Sequence, residues 1–492
     1  MIGTSTPPTI ARFGLLLGPL AYLVMVGYVI ATRVAYPFEL EWMEGGSLQH
    51  LFRLQAGLPI YAAPSLEFTA YQYPPFYYYL ALLVAKLPGV GWFLPLRLAS
   101  LAASLGCVTL IVLIIRKHTA SLYWGLVGGG LFVATFRAGG AWFDVARVDM
   151  VFVFLLLAAH GVLVFFHTRE IWSGVLLALA FYSKQTALLV AVPLVAGVAW
   201  RRGPRAGIRI ASSFLLIAGG TFALEEWRSG GWYGYYVFGL PGQHGLVKPF
   251  LEELAYRSAR LLEPLPVAVV LGLAHAVLRP RQAWKDDTAV TGVFLLGLVG
   301  LSIVARLSYG CYDNVSIPAF AALSIVFGLG GHWFERRFAT TVARVGILAA
   351  CAAQFVLLNF DVRAQIPTPA DRAAGQAMVE KLRSVPGDVL IPSHNYLARA
   401  AGKAVFAHEV ALMEVQGGFS DRVFVPNADL EASLRREVAN GRFGAVIMDS
   451  KHPMWQPVYE AYQSEPLVYL HERDFMPVTG LPTRPRTLWT PP

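Results

Sequence analysis

Eleven apolar runs, most of them close to the length that carries a helix across a hydrocarbon core, constrain this chain more than any other feature. They cover residues 10–31, 97–115, 121–139, 150–167, 171–183, 186–200, 207–224, 264–278, 289–305, 316–333 and 341–359. Composition agrees, with 56% hydrophobic and only 14% charged residues where soluble domains carry about a quarter. The expectation is an all-α polytopic membrane protein of about eleven spans. The first run follows a short polar start and has no small-residue cleavage site, so it reads as a retained helix. Disorder and collagen are excluded. Three cysteines, Cys107, Cys311 and Cys351, are too few and too scattered for a disulfide framework or a thiolate metal site.

The net charge of +9 is explained by the basic residues' position in short loops, not by nucleic acid. With Met1 placed inside, Arg116-Lys117, Arg169, Arg201-Arg202 with Arg205, Arg279-Arg281-Lys285 and Arg336-Arg337 all fall on the cytoplasmic side. This requires the stretch from Phe76 to Leu94, broken by Lys86, Pro88 and two glycines, to lie in the outer interface. Residues 1–360 then form a transmembrane domain with outer-loop juxtamembrane helices at 38–94. Residues 361–492 turn mixed and polar and read as a small α/β extracytoplasmic domain. There Asp388-Val-Leu-Ile-Pro and Phe443-Gly-Ala-Val-Ile-Met are buried strands, and 430–438 is an amphipathic helix. That region has no glycine-rich phosphate loop and no nucleophile elbow.

Chemistry-bearing residues gather at the outer ends of the spans. Glu39, Glu41 and Glu44 open the first outer loop, and spacing by three puts Glu41 and Glu44 on one helical face. Burial and like charge raise a carboxyl pKa, which suits a general base; solvation of a juxtamembrane turn is the structural alternative. Arg147 and Asp149 sit at the start of the fourth run, where ionisable groups mark function or a packing pair. Lys184, between two runs, and Arg97, opening another, offer cations for a lipid phosphate, or snorkel to the interface. Tyr73 and Tyr77 in the segment 71–79, with Trp232 and Tyr235, offer sugar-stacking faces or form an interfacial belt. His394, His408 and His471 lack metal-ligand spacing. Asn314-Val315-Ser316 fits a glycosylation acceptor too close to the membrane to be used.

The order of span, acidic outer loop, Pro-Pro-aromatic segment, Arg97, Arg147 with Asp149, and Ser183-Lys184-Gln185-Thr186 resembles the GT-C glycosyltransferases over about residues 10 to 360. It is similar to the bacterial branch grouped with protein O-mannosyltransferases and lipid A aminoarabinose transferases. The resemblance implies an outward-facing site fed by a polyprenyl-phosphate sugar, with inversion at the anomeric carbon and a glycan, lipid or protein acceptor. It implies Glu44, with Glu41 as substitute, for the acceptor base, Asp149 as a second catalytic carboxylate, and Lys184, Arg97 and Arg147 for the donor phosphate. Met43-Glu44 stands where many relatives have Asp-Glu, which leaves the base open between Glu41 and Glu44. Tyr73 stands where the aminoarabinose branch has a basic residue before Pro-Pro, which weighs against lipid A as acceptor. No metal is obligatory in this chemistry, although a carboxylate cluster can recruit a divalent cation. A transporter or flippase, and a non-catalytic polyprenyl-lipid-binding scaffold, are the competing readings. The absence of an internal repeat and the clustering of charges at one face favour the enzyme.

Overall fold

The computed structural model of the chain describes residues 7–166, 168–278, 288–417 and 427–492. Every one of the apolar runs is helical. α1 (Pro7–Arg33) is followed by two short helices of the first outer loop, α2 (Glu44–Gln55) and α3 (Phe76–Val84). Then come α4 (Leu94–Thr119), α5 (Leu122–Ala134), α6 (Asp149–Phe165), α7 (Glu170–Ser183), α8 (Leu188–Arg202) and α9 (Pro204–Ser229). A single turn α10 (Trp232–Gly234) precedes α11 (Phe250–Leu262), α12 (Pro266–Leu278), α13 (Thr288–Arg306), α14 (Ile317–Arg337) and α15 (Thr341–Leu357). α3 has nine residues, too short to cross a bilayer.

Length and apolarity qualify five helices among the described residues as spans: α1, α4, α9, α13 and α14 with the turn before it. A sixth is added if α11 and α12, bent by 102° to each other, count as one. α5, α6, α7 and α15 are apolar but shorter. The chain is a multi-pass membrane protein, and among the described residues fewer helices reach full span length than there are apolar runs, because several runs end before twenty residues are reached. The basic clusters at 116–117, 169, 201–205 and 336–337 lie at the helix ends remote from Arg97, Asp149 and Lys184. Arg279, Arg281 and Lys285 lie outside the described residues.

Helices pack in consecutive pairs, α4 with α5 and α6, α6 with α7 and α7 with α9, while α14 closes the bundle against α12, α13 and α5. Small residues set the close approaches. A Cβ on Gly331 would lie 2.2 Å from the Trp124 ring, and one on Gly128 2.9 Å from the Ser324 carbonyl. Two charge pairs tie the ends of the bundle, one half-exposed and one buried. Arg12 bonds Glu335 at 2.6 Å at one end. At the other, the fully buried Arg33 holds Asp144 at 2.5 Å and also donates to the Ala141 and Gln365 carbonyls.

Beyond the bundle come α16 (Pro369–Ser384), β1 (Asp388–Leu390), α17 (Tyr396–Ala400), α18 (Glu409–Glu414), α19 (Ala428–Ala439), β2 (Phe443–Met448), α20 (Gln456–Ala461), β3 (Gln463–Pro466) and β4 (Thr487–Thr490). The sheet order is β1-β2-β4-β3, with β1 and β2 parallel and the other pairs antiparallel. Thr368 and Asp371 form a reciprocal cap that starts α16. This region packs on the first outer loop. Thr479 donates its backbone N–H to the Leu40 carbonyl, Ala407 to that of Leu66, and Phe475 meets Phe38 edge-on at 5.3 Å.

Removing one partner of a fully buried pair strands the other charge at a cost of about 3–5 kcal/mol. Asp144→Asn is therefore expected to lower the thermal unfolding midpoint of the detergent-purified protein sharply, whereas exposed Glu380→Gln leaves it within experimental scatter.

Candidate active site

The loop after α1 turns back at Phe38–Gly46, and its three glutamates go to three different partners. Glu44 is fully buried and grips Arg97 in a fork, with Nε to Oε1 at 3.0 Å and an Nη to Oε2 at 2.6 Å. Its oxygens also accept the Leu40 N–H at 2.7 Å and the Ala146 N–H at 2.6 Å. The remaining Arg97 donors go to the carbonyls of Val34, Tyr36 and Phe38. Every donor of Arg97 and both oxygens of Glu44 are thus committed.

Glu41 is also fully buried, but its bonds are longer and fewer: both oxygens accept from one Arg147 Nη at 3.1 Å, and Oε2 accepts the Met43 N–H at 3.1 Å. Burial pushes this carboxyl up to about 7 against the pull of Arg147. The other Nη of Arg147 donates to the Tyr73 hydroxyl at 3.1 Å, and the guanidinium stacks on Trp142. The expected packing alternative, Arg147 with Asp149, is not the pairing found. Asp149 instead accepts from Lys184 at 2.8 Å and from Asn314 at 3.0 Å, both through Oδ1, while Oδ2 is buried without a partner.

Glu39 reaches the C-terminal region, where His394 Nδ1 lies 2.6 Å from its Oε2 and His394 Nε2 lies 3.0 Å from Asp449. Burial would lower the imidazole, but Asp449 and Glu39 on either side push it up to about 10. Burial pushes Glu39 up to about 7. Gly45 and Gly46 permit this turn: a Cβ on Gly45 would lie 2.6 Å from Glu39 Oε1, and one on Gly46 2.0 Å from the Tyr71 hydroxyl. His50 is held neutral beneath them, lowered to about 4 by burial, accepting the Tyr71 N–H while its other nitrogen faces the Gly46 carbonyl.

Between these loops lies a cavity of about 490 Å³, within the range of small-molecule sites. Its polar wall carries Arg147, Asp149, Lys184 and Tyr73, the four expected site residues that the structure brings together. Phe152 and Val153 of α6, Leu301 and Ala305 of α13 and Pro318 of α14 make the apolar side. Glu41 stands one residue behind Arg147. Arg97 and Glu44 lie outside the lining, as do Tyr77, whose hydroxyl donates to the Leu96 carbonyl, and Trp232 and Tyr235, which pack edge-on against each other at 5.3 Å. Among the described residues no group of three or more His, Cys, Asp or Glu side chains is placed to hold a metal ion.

Sequence reading passed over several lining residues. Asn314, set aside as a spent glycosylation signal, orients Asp149. Gln185 donates to the Gln72 and Val237 carbonyls, joining three loops. His244 and Glu414 meet at 2.6 Å, and Gln72 donates to the same carboxylate at 3.2 Å. Burial opposes the charge on His244, yet Glu414 raises its pKa overall. Only the short Gln-Thr step after Lys184 hinted at this cluster.

A sequence profile of glycosyltransferase family 87 matches residues 71–331. Among solved structures, ArnT from Cupriavidus metallidurans bound to undecaprenyl phosphate is similar, with a TM-score of 0.57, 13% identity, and coverage of 96% of this chain and 97% of that one. The Archaeoglobus fulgidus oligosaccharyltransferase in its apo form is similar with a TM-score of 0.52 and 12% identity over 89% of this chain and 69% of that one. No curated protein sequence matches the chain. At these identities the likeness is one of fold, and that fold is GT-C.

His394 and Glu39 both have raised values, so the stability they add is full below the unfolded values and is lost as pH rises through about 7 and then about 10. Hydrogen-exchange protection of 388–394, taken against the intrinsic amide rate at each pH, is expected to fall between pH 8 and 10 in the wild type. His394→Gln is expected to show fast exchange already at pH 7 and to lose that pH dependence.

Proposed function

The chain belongs to glycosyltransferase family 87, and from that premise we propose that it moves a sugar from a polyprenyl-phosphate-linked donor to an acceptor on the extracytoplasmic face of the inner membrane. In this reading the N-terminus is cytoplasmic, all eleven apolar helices traverse the membrane region, and residues 361–492 form an extracytoplasmic domain. The observation that carries it is the cavity wall that sets two cations, Lys184 and Arg147, beside an apolar side built from α6, α13 and α14. A phosphate with a lipid tail matches that pair of surfaces, and the similar ArnT structure holds undecaprenyl phosphate.

Between the two first-loop carboxylates, bonding favours Glu41 as the base. Glu44 accepts four bonds, two of them at 2.6 Å, and has no lone pair for a hydroxyl proton. Glu41 has weaker ties and a value near neutrality, where a general base works best. Movement of Arg147 toward the donor phosphate uncovers it. Asp149 holds Lys184 at the phosphate end, and Arg97 with Glu44 positions the loop. Neutralising the leaving phosphate at Lys184 while Glu41 deprotonates the acceptor from the other end gives in-line displacement and inversion.

Transfer of radiolabelled sugar from polyprenyl-phosphate donors by protein in lipid discs tests this. Glu41→Gln is expected to lower kcat by about 10²–10⁴. Asp149→Asn is expected to act mainly by raising the donor KM. In the wild type kcat/KM should rise with pH through about 7. Full activity in Glu41→Gln overturns the assignment of Glu41 as the base, and absence of both transfer and donor hydrolysis across a broad panel overturns the transfer reading in favour of a lipid transporter or scaffold.

A further inference from the structure

Six polar atoms on the cavity lining are buried without a partner: Trp42 Nε1, Gln72 Oε1, Trp142 Nε1, Asp149 Oδ2, Gln185 Oε1 and Thr186 Oγ1. Buried polar groups in folded proteins are paired in the great majority, so a cluster of unpaired ones on one wall marks where a ligand supplies the partners. The inventory has a definite polarity. The two indoles can only donate, the carboxylate and the two amide oxygens can only accept, and the threonine hydroxyl can do either.

Amide oxygens and nitrogens are interchangeable unless the bonding network decides between them, and here it does. Gln185 Nε2 donates to two main-chain carbonyls, Gln72 at 3.1 Å and Val237 at 3.0 Å, which fixes Oε1 as the unpaired acceptor. Gln72 Nε2 donates to Glu414 Oε1 at 3.2 Å, which leaves its oxygen as a second unpaired acceptor. Glu414 is anchored in turn by His244 at 2.6 Å. A carboxylate cannot donate, so Glu414 imposes one orientation on Gln72.

We infer that this wall is the hydroxyl-reading subsite for the transferred sugar, with Gln72 and Gln185 as fixed acceptors, Trp42 and Trp142 as donors, and Glu414 of α18 as the positioning residue that sets the polarity of Gln72. The ligand it fits carries several hydroxyls on one compact ring, each able to give one hydrogen bond and take another. A second anion would meet three acceptors. The C-terminal region therefore takes part in donor selection through one side chain, while phosphate binding stays with Lys184 and Arg147. The inference rests on the transfer reading above and goes beyond it by assigning the sugar-reading residues.

The test compares binding of two probes to full-length protein in lipid discs: polyprenyl phosphate, and the same lipid phosphate carrying a neutral hexose. Thr186→Val removes the hydroxyl at constant shape, and Glu414→Gln frees Gln72 to reverse. Each is expected to weaken the sugar-bearing lipid about three- to tenfold, the cost of one lost hydrogen bond, and to leave the bare lipid phosphate unchanged. The bare-lipid affinity also reports that each variant is folded. Equal losses for both probes, or no loss for either, overturn the subsite. Failure of the wild type to bind polyprenyl phosphate at all overturns the transfer reading instead.

Discussion

The fork between Arg97 and Glu44 is the constraint on which the outer face depends. One guanidinium binds the end of α1 through Val34 and Tyr36, the start of the first loop through Phe38, and the α2 N-terminus through Glu44. Glu44 then takes the Ala146 N–H, fixing the main chain one residue before Arg147. A planar five-donor group is needed for this; a lysine at 97 has one charge point and three donors. Such a pair is costly to desolvate, and its return is geometry.

The charges on this face divide by how completely they are satisfied. Arg33 with Asp144 and Arg97 with Glu44 are closed, with no solvent exposure at either side chain. Arg147 with Glu41 and Lys184 with Asp149 are open, having longer bonds, an unpartnered oxygen, or partial exposure at the cation. The open pairs border the cavity. Structural ion pairs thus form a rigid frame around two less committed pairs, and the proposed phosphate site draws its electrostatic preorganisation from that division.

Much of this architecture was legible from periodicity and composition, because a helix in lipid is a local solution to a local problem. β2 covers the residues read as a strand, and α19 covers the amphipathic run. Arg147, Asp149 and Lys184 were visible as ionisable groups in apolar surroundings. Their pairing was not, because Arg147 finds its carboxylate 106 positions away and Lys184 finds Asp149 35 positions away. Glu44 shows the limit plainly: its residue type suits a base, and its four hydrogen bonds to Leu40, Arg97 and Ala146 could not be read from the sequence. Gln72, Gln185, His244 and Glu414 carry no apolar-context signal at all. Their role arises from the convergence of four loops.

The most direct measurement is an experimental structure of the protein in lipid discs with polyprenyl phosphate bound. The phosphate is expected in the cavity, within hydrogen-bond distance of Lys184 Nζ and Arg147, with Arg147 drawn off Glu41 and the Arg97–Glu44 fork unchanged. A phosphate seated elsewhere on the outer face, with Lys184 bonded only to Asp149 and Glu41 still covered, contradicts the assignment of this cavity as the transfer site.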